Sequence, residues 1–141
     1  MADEGQELEV AEAFIRSRVL QELSNAGLGT WKVEPEPYVG LLPVVTFVHL
    51  GGDDEEPSDS GDILMTRPLY RILARATGST IAGTKVAARA IHKALHRAKG
   101  TNAYGTVYWS RRERPLRESF KPGQEPETAQ GGDYRLVVKG S

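Results

Sequence analysis

The sequence predicts an α+β domain in which two helices pack on a mainly antiparallel sheet of four to five strands, in the order α-β-β-β-α-β-β. Three observations predict this class: an apolar stripe at helical spacing near the N-terminus, the β-branched run LPVVTFVHL at 42–50, and a second amphipathic pattern at 81–98. We expect one domain over residues 1–141, because a chain of this length buries roughly two-thirds of its unfolded surface.

The first helix is predicted over residues 8–24, where apolar side chains recur at spacings of three and four. This stripe consists of Leu8, Ala11, Ile15 and Val19. Gly27 and Gly29 are expected to end the helix, since glycine tolerates the left-handed conformation found there. Residues 31–36 then predict a short edge strand or an extended arm, because Pro35 and Pro37 remove two backbone donors.

The run at 42–50 predicts a central strand, since its residues are apolar on both faces. The polar residues 51–62 that follow have little apolar surface to bury and predict a flexible loop.

Residues 63–77 fit two patterns. The spacing of Arg67, Arg71 and Arg75 suits one face of a helix, but Pro68 disfavours a helix at this place. Read as a strand, the segment alternates these arginines with an apolar set on the other face. That set is Tyr70, Ile72, Ala74 and Ala76. We favour the strand, with Pro68 marking an edge or a bulge near its start.

The second helix is predicted over residues 81–98, after a turn at 78–80. Its apolar side consists of Ala87, Ala90, Ile91, Ala94, Leu95 and Ala98. Its opposite side carries a basic stripe, Lys85, Arg89, Lys93 and Arg97, at a strict spacing of four. Gly100 is expected to end the helix.

The rest of the chain predicts strands again. The segment GTVYWSRRE at 105–113 is one strand, which LRESF at 116–120 continues after Pro115. Residues 121–131 predict a flexible polar loop, and DYRLVVK at 133–139 predicts the last strand.

The net charge of −1 hides blocks of opposite sign. Residues 3–12 carry five acids and residues 53–62 carry six, with no base in either block. Residues 66–117 carry twelve Lys or Arg and one acid, Glu113, which leaves a charge of +11. Such blocks indicate either solvated loops beside a basic helix face, or a protein whose two surfaces of opposite potential meet partners.

Two sets of residues are therefore candidates for contact. The basic set is Arg67, Arg71, Arg75, Lys85, Arg89, Lys93, Arg111 and Arg112. The acidic set is Asp53, Asp54, Glu55, Glu56, Asp59 and Asp62.

The sequence contains little material for catalysis, and we predict no enzyme, no metal site and no cofactor. There is no cysteine. The segment at 78–85 resembles a phosphate-binding loop, but Thr84 rather than Lys85 follows the second glycine. His92 and His96 lack both the glutamate of a zinc protease helix and a third ligand.

The longest apolar run is about seven residues, far below the roughly 20 that a membrane helix needs. With no signal-peptide pattern at the acidic N-terminus, we expect a soluble protein in a reducing compartment.

The order of these segments resembles a known family. It comprises an N-terminal helix, Pro37-Tyr38, the strand LPVVTFVHL, an acidic loop, the strand PLYRILARATG, the helix IAGTKVAARAIHKALHRA, the strand VYWSRRE and the strand DYRLVV. This layout, over about residues 8–139, is similar to that of the tail terminator (tail completion) proteins of bacteriophages with long non-contractile tails.

The resemblance implies a structural virion protein without enzymatic activity. Such a subunit forms a hexameric ring on the head-proximal end of the tail tube, stops tube polymerisation and provides the surface for head joining. The implied partners are further copies of the chain, the major tail tube protein and the head-tail connector protein. The resemblance implies that the basic set contacts neighbouring subunits or the tail tube, and that the acidic set faces a partner or the lumen of the ring. Double-stranded DNA would pass through the ring without specific binding. The expected location is the virion tail, after assembly in the host cytoplasm.

Two other readings remain at this point. One is a different phage neck component, such as a head-closure or connector protein, which shares this size and layout. The other is a small basic nucleic-acid-binding module, since the basic set is suited to phosphate contact. That module would lack a recognised nucleic-acid motif and an aromatic platform for base stacking.

Overall fold

A computed structural model describes residues 4–51, 56–57, 64–120 and 127–140 of the chain. Within these residues the helices are α1 (Glu4–Asn25) and α2 (Gly83–Leu95). The strands are β1 (Lys32–Pro35), β2 (Val44–Gly51), β3 (Glu56–Pro57), β4 (Leu64–Met65), β5 (Leu69–Thr77), β6 (Ala98–Asn102), β7 (Gly105–Phe120) and β8 (Glu127–Gly140). A 3₁₀ turn over Gly78–Thr80 joins β5 to the segment before α2.

Six strands form one sheet in the order β1-β2-β5-β8-β7-β6, while β3 and β4 pair with each other. Every neighbouring pair in the large sheet is antiparallel except β1 with β2. The α+β class and the mainly antiparallel sheet are therefore confirmed. The sheet has six strands rather than the four to five expected. The longest pairing joins β7 to β8, from Gly105 opposite Gly140 to Phe120 opposite Glu127.

Both helices pack on one face of this sheet. The predicted stripe of α1 is buried at Ala11, Ile15 and Val19, and full burial of each of the larger side chains stabilises the fold by roughly 2 kcal/mol. From α2, the small side chains on the predicted apolar side let the helix lie close to the strands. No helix in the described part of the chain has an apolar stretch long enough to cross a membrane.

The segment predicted as one strand over 63–77 is extended but interrupted at Pro68, because residues 64–65 form β4 and residues 69–77 form β5. Tyr70, Ile72, Ala74 and Ala76 are fully buried under the helices, and the residues between them are half-buried on the other face. Pro68 lies between β4 and β5, where its carbonyl accepts a hydrogen bond from the Leu136 N–H. The alternation of β5 thus places the arginines of this segment on the sheet face without helices.

The second helix is shorter than predicted, because the expectation that it reaches Ala98 is wrong. It ends at Leu95, and Ala98 begins β6, which also contains Gly100. The chain turns at Arg97, whose φ is 58°. Ser110 of β7 forms hydrogen bonds with residues on both sides of this turn. Its hydroxyl donates to the Leu95 carbonyl, and its carbonyl accepts from the Arg97 N–H. Pairing with β7 therefore replaces the last helical turn.

The two predicted loops fall partly on described residues. Within 51–62, Gly51 ends β2 and residues 56–57 form β3, while the others lie outside the described residues. Within 121–131, β8 already begins at Glu127, since residues 127–131 pair with β5 on one side and with β7 on the other. Residues 121–126 lie outside the described residues.

Candidate interaction surfaces

The sheet face opposite the helices carries a network of ion pairs. We call it the open face; its β5 residues are Leu69, Arg71, Leu73 and Arg75. The predicted contact residues Arg71 and Arg75 both lie here, each in contact with carboxylates of neighbouring segments.

Asp133 of β8 is the centre of this network. It is 3% exposed and lies opposite Arg71 in the register of β5 and β8. Arg71 donates to both of its carboxylate oxygens, at 2.9 and 3.3 Å, and Arg114 of β7 donates to one of them at 2.7 Å. Burial raises the pKa of Asp133, but the hydrogen bonds and charges of Arg71 and Arg114 outweigh burial and hold the pKa below its ordinary value of 3.8.

Arg75 joins two further segments. Its Nε donates to Glu127 of β8 and its Nη1 donates to Glu36, which follows β1, both at 2.9 Å. Toward the opposite end of the face, Arg135 donates to Glu113 at 3.0 Å and to the Arg67 carbonyl at 2.8 Å. Arg71 and Arg75 thus form ion pairs within the chain, and their contact with other copies of the chain remains a prediction.

Arg67 and Arg111 line one cavity of about 260 Å³ on the open face, together with Trp109, Glu113 and Arg135. The guanidinium of Arg111 lies 5.6 Å from the centre of the Trp109 ring, within the range of a cation–π contact. Trp109 is 38% exposed, so this end of the face presents an aromatic ring under a cation.

Arg112, the neighbour of Arg111, lies on the other side of the sheet because strand residues alternate. There it lines a groove of about 620 Å³ between α2 and the far half of β7. We call this the basic groove; its cations are Lys85, Arg89, Lys93, Arg112 and Arg117. The structure thus brings four of the eight predicted basic residues together with Arg117, which the candidate set did not include.

Two histidines lie beside this groove. The rings of His92 and His96 stack with their centres 4.5 Å apart, and His92 Nδ1 is 3.3 Å from the Tyr134 hydroxyl. Burial lowers the pKa of His92, and the charges of Arg112 and His96 lower it further. Burial raises the pKa of Tyr134 to about 12. Among the described residues, no group of three His, Cys, Asp or Glu side chains is placed to hold a metal ion.

Most of the predicted acidic set lies outside the described residues, namely Asp53, Asp54, Glu55, Asp59 and Asp62. Glu56 belongs to β3, where it pairs with Met65. The chain pairs with the large sheet up to Gly51, which lies opposite Leu69, and again from Thr66, which bridges to Val138 of β8.

The sequence interpretation missed an exposed apolar turn between β1 and β2. Val39 is 98% exposed and Leu41 is 89% exposed. Their turn is held by the Tyr38 hydroxyl, which donates to the Leu41 carbonyl at 2.8 Å, and by the Tyr38 N–H, which donates to Glu36. The available signal in the sequence was a set of apolar side chains in the seven residues 37–43, which also include two prolines and a glycine. Only the structure shows that Val39 and Leu41 are exposed to solvent.

The fold and these surfaces define a small α+β protein with an ion-paired sheet and a basic groove. No protein-family model matches the chain, and no curated protein matches it. Its structure is similar to that of a chain in the virion of a native gene transfer agent particle, with a TM-score of 0.60 and 16% sequence identity. The likeness covers 95% of this chain and 98% of that chain, so the two share one fold over almost their whole length.

Proposed function

We propose that this protein is a structural subunit of a phage-like particle. The observation that carries the proposal is the end-to-end likeness to a virion chain of a gene transfer agent particle. The chain and its structural neighbour match in length as well as in fold. Such a match is expected of two subunits that occupy equivalent positions in related particles. A structural role also requires no chemistry by the subunit itself.

Within the particle, we assign the chain to the ring that ends the tail tube on the side of the head. This finer role is supported by the order of segments in the sequence, which resembles the tail terminator family. It is also supported by the separation of charge, because a head-to-tail ring needs two different and complementary surfaces on each subunit. Its partners would be further copies of the chain, the major tail tube protein and the head-tail connector protein, while DNA passes through the ring.

The ion pairs of the open face suit a subunit that must keep its shape within a large assembly. Three strands are joined by Asp133 and its two arginines, and Arg75 joins β5 to β8 and to the segment after β1. Such cross-strand pairs hold the sheet in one register, which favours a rigid subunit that stacks reproducibly on a tube.

The test is deletion of the gene in a strain that produces the particles, with complementation by the wild-type chain. Loss of this subunit should yield tails that exceed the normal length and are not joined to heads, as seen by negative-stain electron microscopy. The wild-type chain supplied in trans should restore tails of uniform length. Mass spectrometry of purified particles should detect the chain at about six copies for each tail.

Two outcomes would contradict the assignment. Tails of normal length that fail only to join heads would identify a different neck component, such as a head-closure protein. Particles that lack the chain and assemble normally after deletion would remove it from the virion altogether.

A further inference from the structure

Three cations of the basic groove have no carboxylate partner among the described residues. Arg71, Arg75 and Arg135 have carboxylate partners, whereas no carboxylate of the described residues forms an ion pair with Lys85, Arg89 or Arg117. Lys93 is 3.7 Å from Glu22, but its side chain is 75% exposed and the pair is weak. Cations gathered in a concave site without a counter-charge favour an acidic occupant.

The groove is open on one side to an extended chain. On the side of β7 away from β8, strand β6 pairs only as far as Ser110. Residues 111–120 of β7 have no strand on that side within the described part of the chain. Pro115 and Arg117, which line the groove, belong to this uncovered segment. An extended acidic segment can therefore enter from the edge of the sheet.

The chain itself contains such a segment, with six acids and no base in residues 53–62. Its two anchors lie far from the groove. The first anchor, Gly51, pairs with Leu69, which lies opposite Arg135 of β8; Gly51 is therefore about 20 Å from Gln130 in the groove. The second anchor, Thr66, pairs with Val138 of β8, which is about 27 Å along the strand from Gln130. Glu56, one of the six acids, pairs with Met65 beside the second anchor, Thr66, so it too lies far from the groove. The described part of the segment therefore does not fill the groove of its own subunit.

We infer that the acidic segment 53–62 of one copy docks in the basic groove of a second copy. Gly51, which precedes the acidic segment, lies opposite Leu69 at the start of β5, whereas Gln130 and Gly131 of the groove lie opposite Ala74 and Leu73. The contact therefore joins two different surfaces of the chain and is heterologous, as a ring requires. This inference rests on the proposed ring and specifies the contact that closes it. It also assigns the basic charge to protein association rather than to DNA.

The experiment uses a fluorescein-labelled synthetic peptide of residues 51–64 and the full chain in which all six acids of the segment are replaced by Asn or Gln. Those replacements leave the groove free of competing segments. Fluorescence anisotropy should show saturable binding at about 50 mM salt that weakens at least tenfold at 500 mM, since ion pairs are screened. Replacement of both exposed helix residues, Lys85→Glu with Arg89→Glu, should weaken binding at least tenfold.

The matched control reverses the same charge elsewhere, with Lys32→Glu and Lys99→Glu on exposed positions of β1 and β6. It should change peptide affinity by less than threefold. A peptide with Lys in place of the six acids should bind the Lys85→Glu, Arg89→Glu protein and not the wild-type groove. This charge exchange distinguishes loss of the contact from loss of the fold.

Three results would overturn the inference: no saturable binding of the acidic peptide, an equal loss of binding in the groove and control variants, or displacement of the peptide by a 20-base-pair duplex at lower concentration. The third result would assign the groove to nucleic acid. The peptide assay does not use particles, so its result is independent of the deletion experiment. If the peptide does not bind but the deletion strain makes abnormal tails, the docking is rejected and the tail role stands. If the peptide binds but the deletion strain makes normal tails, the tail role is rejected and the docking stands.

Discussion

Arg71 of β5 and Asp133 of β8 lie directly opposite each other, and the Arg71 Nε donates to the Asp133 carboxylate at 2.9 Å. Arg114 approaches the same carboxylate from β7, so one almost fully buried acid connects three neighbouring strands. A carboxylate buried at this depth is stable only because its partners replace the hydrogen bonds that it would make with water.

Replacement of Asp133 by Ala should therefore destabilise the fold. The change leaves Arg71 partly buried without its counter-charge, and we expect the free energy of unfolding to fall by about 2–4 kcal/mol. Urea denaturation followed by circular dichroism measures this change. As a control, Lys32→Ala on the exposed edge of β1 should change stability by less than about 0.5 kcal/mol. A loss below about 0.5 kcal/mol for Asp133→Ala would show that the network is incidental.

The same acid predicts part of the pH dependence. Its native pKa lies below its ordinary value of 3.8, so the unfolded chain binds more protons as the pH falls through this range. The stabilisation is present above about pH 4 and is lost as the pH falls through the native pKa. Denaturation curves of the wild type and of Asp133→Asn should therefore converge toward pH 2, and parallel curves from pH 7 to pH 2 would contradict the prediction.

The sequence predicts only part of the ion-pair network around Asp133. The alternation in β5 is enough to place Arg71 and Arg75 on one face, because strand side chains repeat every two residues. Applied to β7, the same alternation would place Arg114 on the side of Arg112, which is the sheet face that the helices cover. A β-bulge between Arg112 and Arg114 inserts one residue and turns Arg114 toward Asp133. Neither this bulge nor the register of β8 leaves a signal in the local sequence.

The end of α2 and the basic groove show a similar limit. Spacing alone predicts the basic stripe, and Lys85, Arg89 and Lys93 lie exposed on α2 as expected. Arg97, the fourth predicted member, lies beyond the end of the helix. The stop at Leu95 depends on Ser110, fifteen residues later, which bonds the last carbonyl of the helix. The groove likewise depends on how far β7 extends beyond β6. Both depend on tertiary pairing, which local propensity does not encode.

His92 predicts a second pH effect near neutrality. Burial and the charges of Arg112 and His96 lower its pKa, so the native state resists a proton that the unfolded chain accepts. Stability should therefore fall as the pH drops through the ordinary value of 6.5, and the loss is complete below the native pKa. We expect His92→Gln to flatten this part of the profile. Direct titration of the His92 ring by NMR should give a midpoint below 6.5, and a midpoint above that value would reverse the sign of the effect.

The exposed turn of Val39 and Leu41 predicts separate effects on stability and on assembly. Because both side chains are almost fully exposed, the double replacement Val39→Ser, Leu41→Ser removes no core contact and should change stability by less than about 0.5 kcal/mol. If the turn meets a partner in the particle, the same variant should complement the deletion strain less well than wild type. The matched core variant Val33→Ser should instead lower stability by about 2 kcal/mol or more. Full complementation by the double variant would show that the turn has no role in assembly.

Gly131 predicts the cost of adding one methyl group inside the sheet. A Cβ at this position would overlap the carbonyl oxygen of Ile72 on β5, which is backbone and has no rotamer by which to move away. Gly131→Ala should therefore separate β8 from β5 and lower the free energy of unfolding by about 2–3 kcal/mol. Gly29 is the matched control, because a Cβ there meets nothing within 4 Å, so Gly29→Ala should be neutral or slightly stabilising. Equal urea midpoints for the two variants would show that β5 and β8 adjust to the methyl group without cost. A selective loss in Gly131→Ala, with the denaturant slope unchanged, would locate the strain in the folded sheet.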